Sequence, residues 1–90
     1  MTENINHVKT AATCLLSIGA SLMGPERSDA CVKSLIACSS VLTYDYMQQH
    51  EITIEDIKAL LDNETVNFVI GEVYNSISRD IDQLRANLEA

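Results

Sequence analysis

At 90 residues the chain has the length of one domain, yet 47% of it is hydrophobic, more apolar surface than a lone helical domain of this size easily hides. The formal charge is −7 with no cluster of Lys or Arg, which excludes direct binding of a nucleic-acid backbone or an anionic membrane and leaves a basic protein surface as a partner. Three cysteines without paired spacing do not form a secreted disulfide framework, and no uncharged run reaches the ~20 apolar residues of a bilayer span, so a cytoplasmic location is expected.

The first predicted element is a helix from about Asn4 to Met23. Ile5, Val8, Ala12, Leu15, Gly19 and Leu22 recur at steps of three and four, which is one continuous helical face. Thr2 or Asn4 caps its start. Gly24 followed by Pro25 stops it, glycine by suiting a left-handed exit and proline by breaking the hydrogen-bond ladder. The uncharged run Thr10 to Pro25 has the apolarity of a signal-peptide core, but Glu3 precedes it beside Lys9, no small-x-small cleavage site follows, and its period is that of a folded helix. Gly19 lowers helix propensity by roughly 1 kcal/mol against alanine, and so marks either a close approach of another helix or a tolerated defect.

The stretch from Ser28 to Gln49 is apolar on nearly every side, with Lys33 as the one charge between Ala30 and Tyr44. Cys31, Leu35, Cys38 and Leu42 share a stripe, Val32 and Ile36 lie beside it, and Ala30, Ser34, Ala37 and Val41 form a narrower one of mostly small side chains. Such a helix needs cover on several sides and is expected at the centre of the fold. Glu26 and Asp29 suit its positive start, with Ser28–Asp29 as an alternative cap that leaves Pro25 to Arg27 as the turn. A short turn makes the first two helices antiparallel, setting Cys14 near Ala37 or Cys38 and Gly19 near Cys31. Helix one is then expected to cover the small stripe and the last helix the Leu35 to Leu42 stripe. Val32 and Ile36 remain as a partner-binding flank, with Tyr44 and Tyr46 as a binding edge at the helix end or as rings that close the core.

Thr53 opens a short third helix, Ile54 to Leu61, with Asp56 as the reciprocal member of a capping box and Ile52 placed to staple against Ile57. An extended reading of Glu51 to Ile54 is too short to carry weight. Asn63 or Thr65 starts the last helix, which runs to about Leu88. Val66, Ile70, Val73, Ile77, Ile81, Leu84 and Leu88 form its stripe, widened early by Phe68, Val69 and Tyr74. Beyond Asp80 the stripe narrows to a seam that packs on the domain or on a second chain.

Little in the chain carries chemistry. Cys31 and Cys38 are seven residues apart, ~10.5 Å along a helix, too far to share a metal ion directly. Cysteine on an apolar helical face reads as a small core residue, with a Cys14–Cys38 thiol pair across the hairpin as the alternative. His7 and His50 fall at one end of the hairpin as solvated residues, without metal-binding spacing. Gly19, Gly24 and Gly71 make no phosphate loop, and no serine or cysteine is coupled to a histidine by a motif. We expect no metal, no cofactor and no catalysis. Residues 45–64 hold six acids against Lys58, a net −5. Helix starts account for Glu55, Asp56 and Glu64, so solvated charge competes with an acidic binding surface built on Glu51, Glu55 and Asp62.

The expected fold is an all-α antiparallel bundle of three long helices and one short one. No residue constellation specifies an activity. The expected function is a small acidic interaction module (adaptor, inhibitor or chaperone-like partner of bacterial or phage type), a homodimer or heterodimer joined through apolar helix faces. The second expectation is an acidic decoy that mimics DNA and occupies a nucleic-acid-binding protein through residues 45–64.

Overall fold

The computed structural model describes the backbone of residues 2–89 and the side chains of residues 5–89, and among these it is an all-α bundle. Helix α1 (Thr2–Met23) leads through a 3-10 turn (Pro25–Ser28) into α2 (Ala30–Gln49), followed by the short α3 (Ile54–Leu60) and the long α4 (Glu64–Glu89). The expected Thr2 or Asn4 cap lies outside the described side chains.

Local chemistry explains each boundary. Gly24 leaves α1 in extended backbone, φ −75°, rather than through the left-handed exit expected of it, and Pro25 opens the 3-10 turn. Asp29 caps α2, its carboxylate accepting the N–H groups of Cys31 at 2.8 Å and Val32 at 3.3 Å, so the helix starts at Ala30. At its other end Glu51 donates its N–H to the Gln48 carbonyl and Ile52 donates to that of Met47 at 2.8 Å, the paired bonds of a Schellman motif. Glu51 occupies the left-handed position of that motif, φ 55°. The capping box of α3 is complete: Thr53 accepts the Asp56 N–H at 3.2 Å and Asp56 accepts the Thr53 N–H at 3.0 Å. Asn63 caps α4 through the Val66 N–H.

The centre of the bundle is α1, not α2. Val8, Ala11, Ala12, Leu15 and Ile18 are buried in α1, against Thr43 and Met47 alone in α2. The reason lies in where the large side chains sit. On a helix that turns about 100° per residue, the buried residues of α1 fall on one broad face, whereas Val32, Leu35, Ile36, Val41, Leu42 and Met47 are spread around most of α2. No single neighbour covers them all. Small residues also let α1 be approached closely. A Cβ at Gly19 would lie 3.2 Å from Val73 Cγ2 and 3.6 Å from Val69 Cγ1, so the close neighbour of Gly19 is α4 rather than Cys31.

The Leu35 to Leu42 stripe is uncovered, Cys31 and Cys38 are exposed and Cys14 is half-buried, so none of the three thiols is a fully buried core residue. Phe68 faces solvent instead of widening the buried stripe of α4, because Ile70, Val73 and Ile77 set the inward face and Phe68 is turned from it. Leu84 and Leu88, beyond the core, are exposed.

Candidate protein-binding face

The rotation of α2 is fixed at its C-terminal end. Met47 is fully buried, and the Schellman bond ties its carbonyl to Ile52, also buried. With Met47 inward, Ile36 and Thr43 lie within about 40° of the same direction, while Cys38 lies about 180° from it and Leu35 and Leu42 about 120° to 140° away. The anchor that joins α2 to α3 therefore turns the Cys31, Leu35, Cys38 and Leu42 stripe outward. Leu35 remains 66% exposed and Leu42 69%.

Two open grooves run along α2, the first bordering this stripe and the second on another side of the helix. One, of about 570 Å³, runs between α1 and α2 and is lined by Cys14, Ser17, Ile18, Leu35, Ile36 and Leu42 among others. The second, about 620 Å³, separates α2 from the later part of α4, with Ile36, Val41, Ile77, Ile81 and Leu84 along it and Arg27 and Lys33 at one end. Val32 and Ile36, the expected partner-binding flank, are half-buried between the two helices, and Ile36 packs against the core. The uncovered apolar surface thus lies one step round the helix from the flank that the sequence suggests.

Tyr44 and Tyr46 point to different neighbours and do not form one edge. The Tyr44 ring stacks near Tyr74, centroids 6.3 Å apart, with the Arg85 guanidinium 5.9 Å from its centre. Burial raises the Tyr74 hydroxyl above the ordinary tyrosine value of 10.0, and electrostatic repulsion from Tyr44, Glu55 and Asp82 pushes the same way. Tyr46 closes the opposite side of the hairpin, its hydroxyl sharing a hydrogen bond with His7 Nδ1 while His50 stacks on His7 at 3.8 Å. The histidines do meet at one end, as antiparallel pairing requires, but as half-buried packing partners rather than solvated residues. Among the described residues no group of three or more His, Cys, Asp or Glu is placed to hold a metal ion.

Glu51, Glu55 and Asp62 are exposed, whereas Asp56 is engaged in its capping box. Asn67 is a structural residue that pattern reading passes over: its side-chain amide donates to the Leu61 carbonyl at 2.9 Å and the Lys58 carbonyl at 3.3 Å, closing the end of α3. A polar residue four places before the buried Gly71 is its only trace in the sequence. No described helix is long and apolar enough to cross a membrane. Compared with known proteins, the chain matches no family, no curated protein sequence and no solved structure.

Proposed function

We propose that the chain is a non-catalytic protein-interaction module, an adaptor, inhibitor or chaperone-like partner, that binds through the outward face of α2. The observation that carries this reading is the exposure of Leu35 and Leu42 on a stretch with one charge in fifteen residues, Ala30 to Tyr44, along the edge of an apolar groove. Single exposed leucines are ordinary on a folded surface, but an apolar band continuous with a groove is the signature of a contact surface. The double variant Leu35→Ser, Leu42→Ser tests it. It is expected to keep the helical circular dichroism of the parent and, in dilute protein, its melting temperature, while losing apolar-dye fluorescence and association in light scattering. A parent that is strictly monomeric and binds no dye sinks the reading.

A second reading, an acidic decoy for a nucleic-acid-binding protein, is supported by the exposure of Glu51, Glu55 and Asp62. Its binding would weaken steeply with salt, whereas an apolar interface is nearly indifferent to salt.

A further inference from the structure

The outward stripe of α2 has a heptad spacing. Cys31 and Cys38 are one pair of positions seven apart, Leu35 and Leu42 the other, and together they alternate by four, three and four as the two seam positions of a coiled coil do. All four are exposed, so this seam is complete and empty-handed within the chain. We propose that a second copy of the chain docks on it, its α2 antiparallel to the first, with Leu35 seated on the copy's Cys38 and Leu42 on the copy's Cys31. The proposal rests on the interaction reading above and names its partner.

Size complementarity sets the register. In an antiparallel helix pair the two kinds of seam position face one another, so this spacing gives four layers, each with one leucine against one cysteine. Large meets small in every layer, which lets two backbones approach without voids. The two-fold axis then passes the level of Ile36 and Ala37, and the interface closes on itself as an isologous dimer.

Charge argues for the same orientation. A chain of net charge −7 repels its copy, so pairing is favoured where the charge is absent. The positions bordering the seam, Val32, Ser34, Ser39 and Val41, are uncharged, and Lys33 points about 140° away from Cys38. Beyond the apolar layers, exposed Arg27 stands at one end of α2 and exposed Asp45 at the other. In the antiparallel register each Arg27 comes level with the copy's Asp45. Parallel pairing would instead oppose Asp45 to Asp45.

Sedimentation equilibrium of the full chain and three variants tests this. The parent is expected to dimerise reversibly. Leu42→Glu, an exposed substitution that spares the core, is expected to weaken the dimer by about a hundredfold, since it sets a carboxylate against the copy's Cys31 and Leu layers. Asp45→Arg is expected to weaken it by about tenfold, because two symmetry-related pairs are lost, and the swap Asp45→Arg with Arg27→Asp to restore it. A dimer indifferent to Leu42→Glu overturns the seam, and one indifferent to Asp45→Arg or not rescued by the swap overturns the antiparallel register. A monomeric parent whose dye binding is still abolished by Leu35→Ser, Leu42→Ser overturns the second copy as occupant but leaves the interaction reading standing. A monomer that binds no dye overturns both.

Discussion

Helices α1 and α2 are close in length, 22 and 20 residues, and both carry long uncharged runs, yet one is the hub of the bundle and the other lies on its flank with two leucines bare. The difference lies in arrangement, not in apolar content. In α1 the large residues Val8, Leu15 and Ile18 share a face with Ala11, Ala12 and Gly19, so neighbouring helices reach it closely and bury that face almost completely. In α2 the large residues surround the helix, and the anchor at Met47 chooses which of them turn inward. A helix that is apolar all round needs cover, as its composition indicates, but the cover need not come from its own chain.

The sharpest way to break this contrast is to truncate one leucine on each helix. Leu15 is fully buried, so Leu15→Ala is expected to cost about 2–5 kcal/mol in urea denaturation, while Leu35→Ala, measured in dilute protein, stays within about 0.5 kcal/mol of the parent. Equal losses at the two sites would restore α2 to the centre. The close approach of α1 to α4 gives a second probe. Gly19→Val is expected to destabilise by about 1–3 kcal/mol by overpacking against Val73, and part of that loss should disappear when Val73→Ala opens the space. Strict additivity of the two substitutions would show that Gly19 does not hold the helices at their separation.

The anchor that rotates α2 contains one residue at odds with its place. Glu51 sits in the left-handed region, where a side chain crowds the following carbonyl, while every hydrogen bond of the motif is already made by backbone groups. Glu51→Gly is therefore expected to stabilise the fold by up to about 1 kcal/mol, the relief of strain exceeding the entropy glycine adds to the unfolded chain. A lowered denaturation midpoint would mean that the Glu51 side chain contributes more than its backbone costs.

Local signals were the most legible in the sequence, and in the capping box of α3 they were so to the level of single atoms. The Thr53–Asp56 box needs only four consecutive residues; the Gly24–Pro25 stop is equally local in position, though not in its backbone exit, and of the two starts open to α4, Asn63 or Thr65, Asn63 supplies the cap. The stripe of α4 was readable through Ile77 because one period governs it. What the sequence left open is rotational. Leu35 and Ile36 differ by one position and by 100° on the helix, and which of them enters the core depends on a tie between Met47 and Ile52 that no periodicity in α2 reveals. The same limit explains why Val32 and Ile36 stood out as a flank while the open surface lies at Leu35 and Leu42, and why Tyr44 and Tyr46 read as one edge although they serve opposite sides.

The smallest expected effect concerns that tyrosine pair, where α2 and α4 do touch. Tyr74 is held neutral by burial first and by electrostatic repulsion from Tyr44, Glu55 and Asp82 second, so its hydroxyl ionises at higher pH in the folded chain than in the unfolded one. Above the ordinary tyrosine value the unfolded state has released a proton that the folded state still holds, and stability must fall as pH rises. The contribution is therefore complete below about pH 10 and is lost as pH climbs through the raised value of the folded chain. Tyr74→Phe removes the ionisable group but keeps the ring against Tyr44, so it is expected to flatten the alkaline side of a melting-temperature profile and leave the neutral side nearly unchanged. An alkaline slope identical in the parent and the variant would place the sensitive group elsewhere and detach the Tyr44–Tyr74 contact from the stability of the α2–α4 boundary.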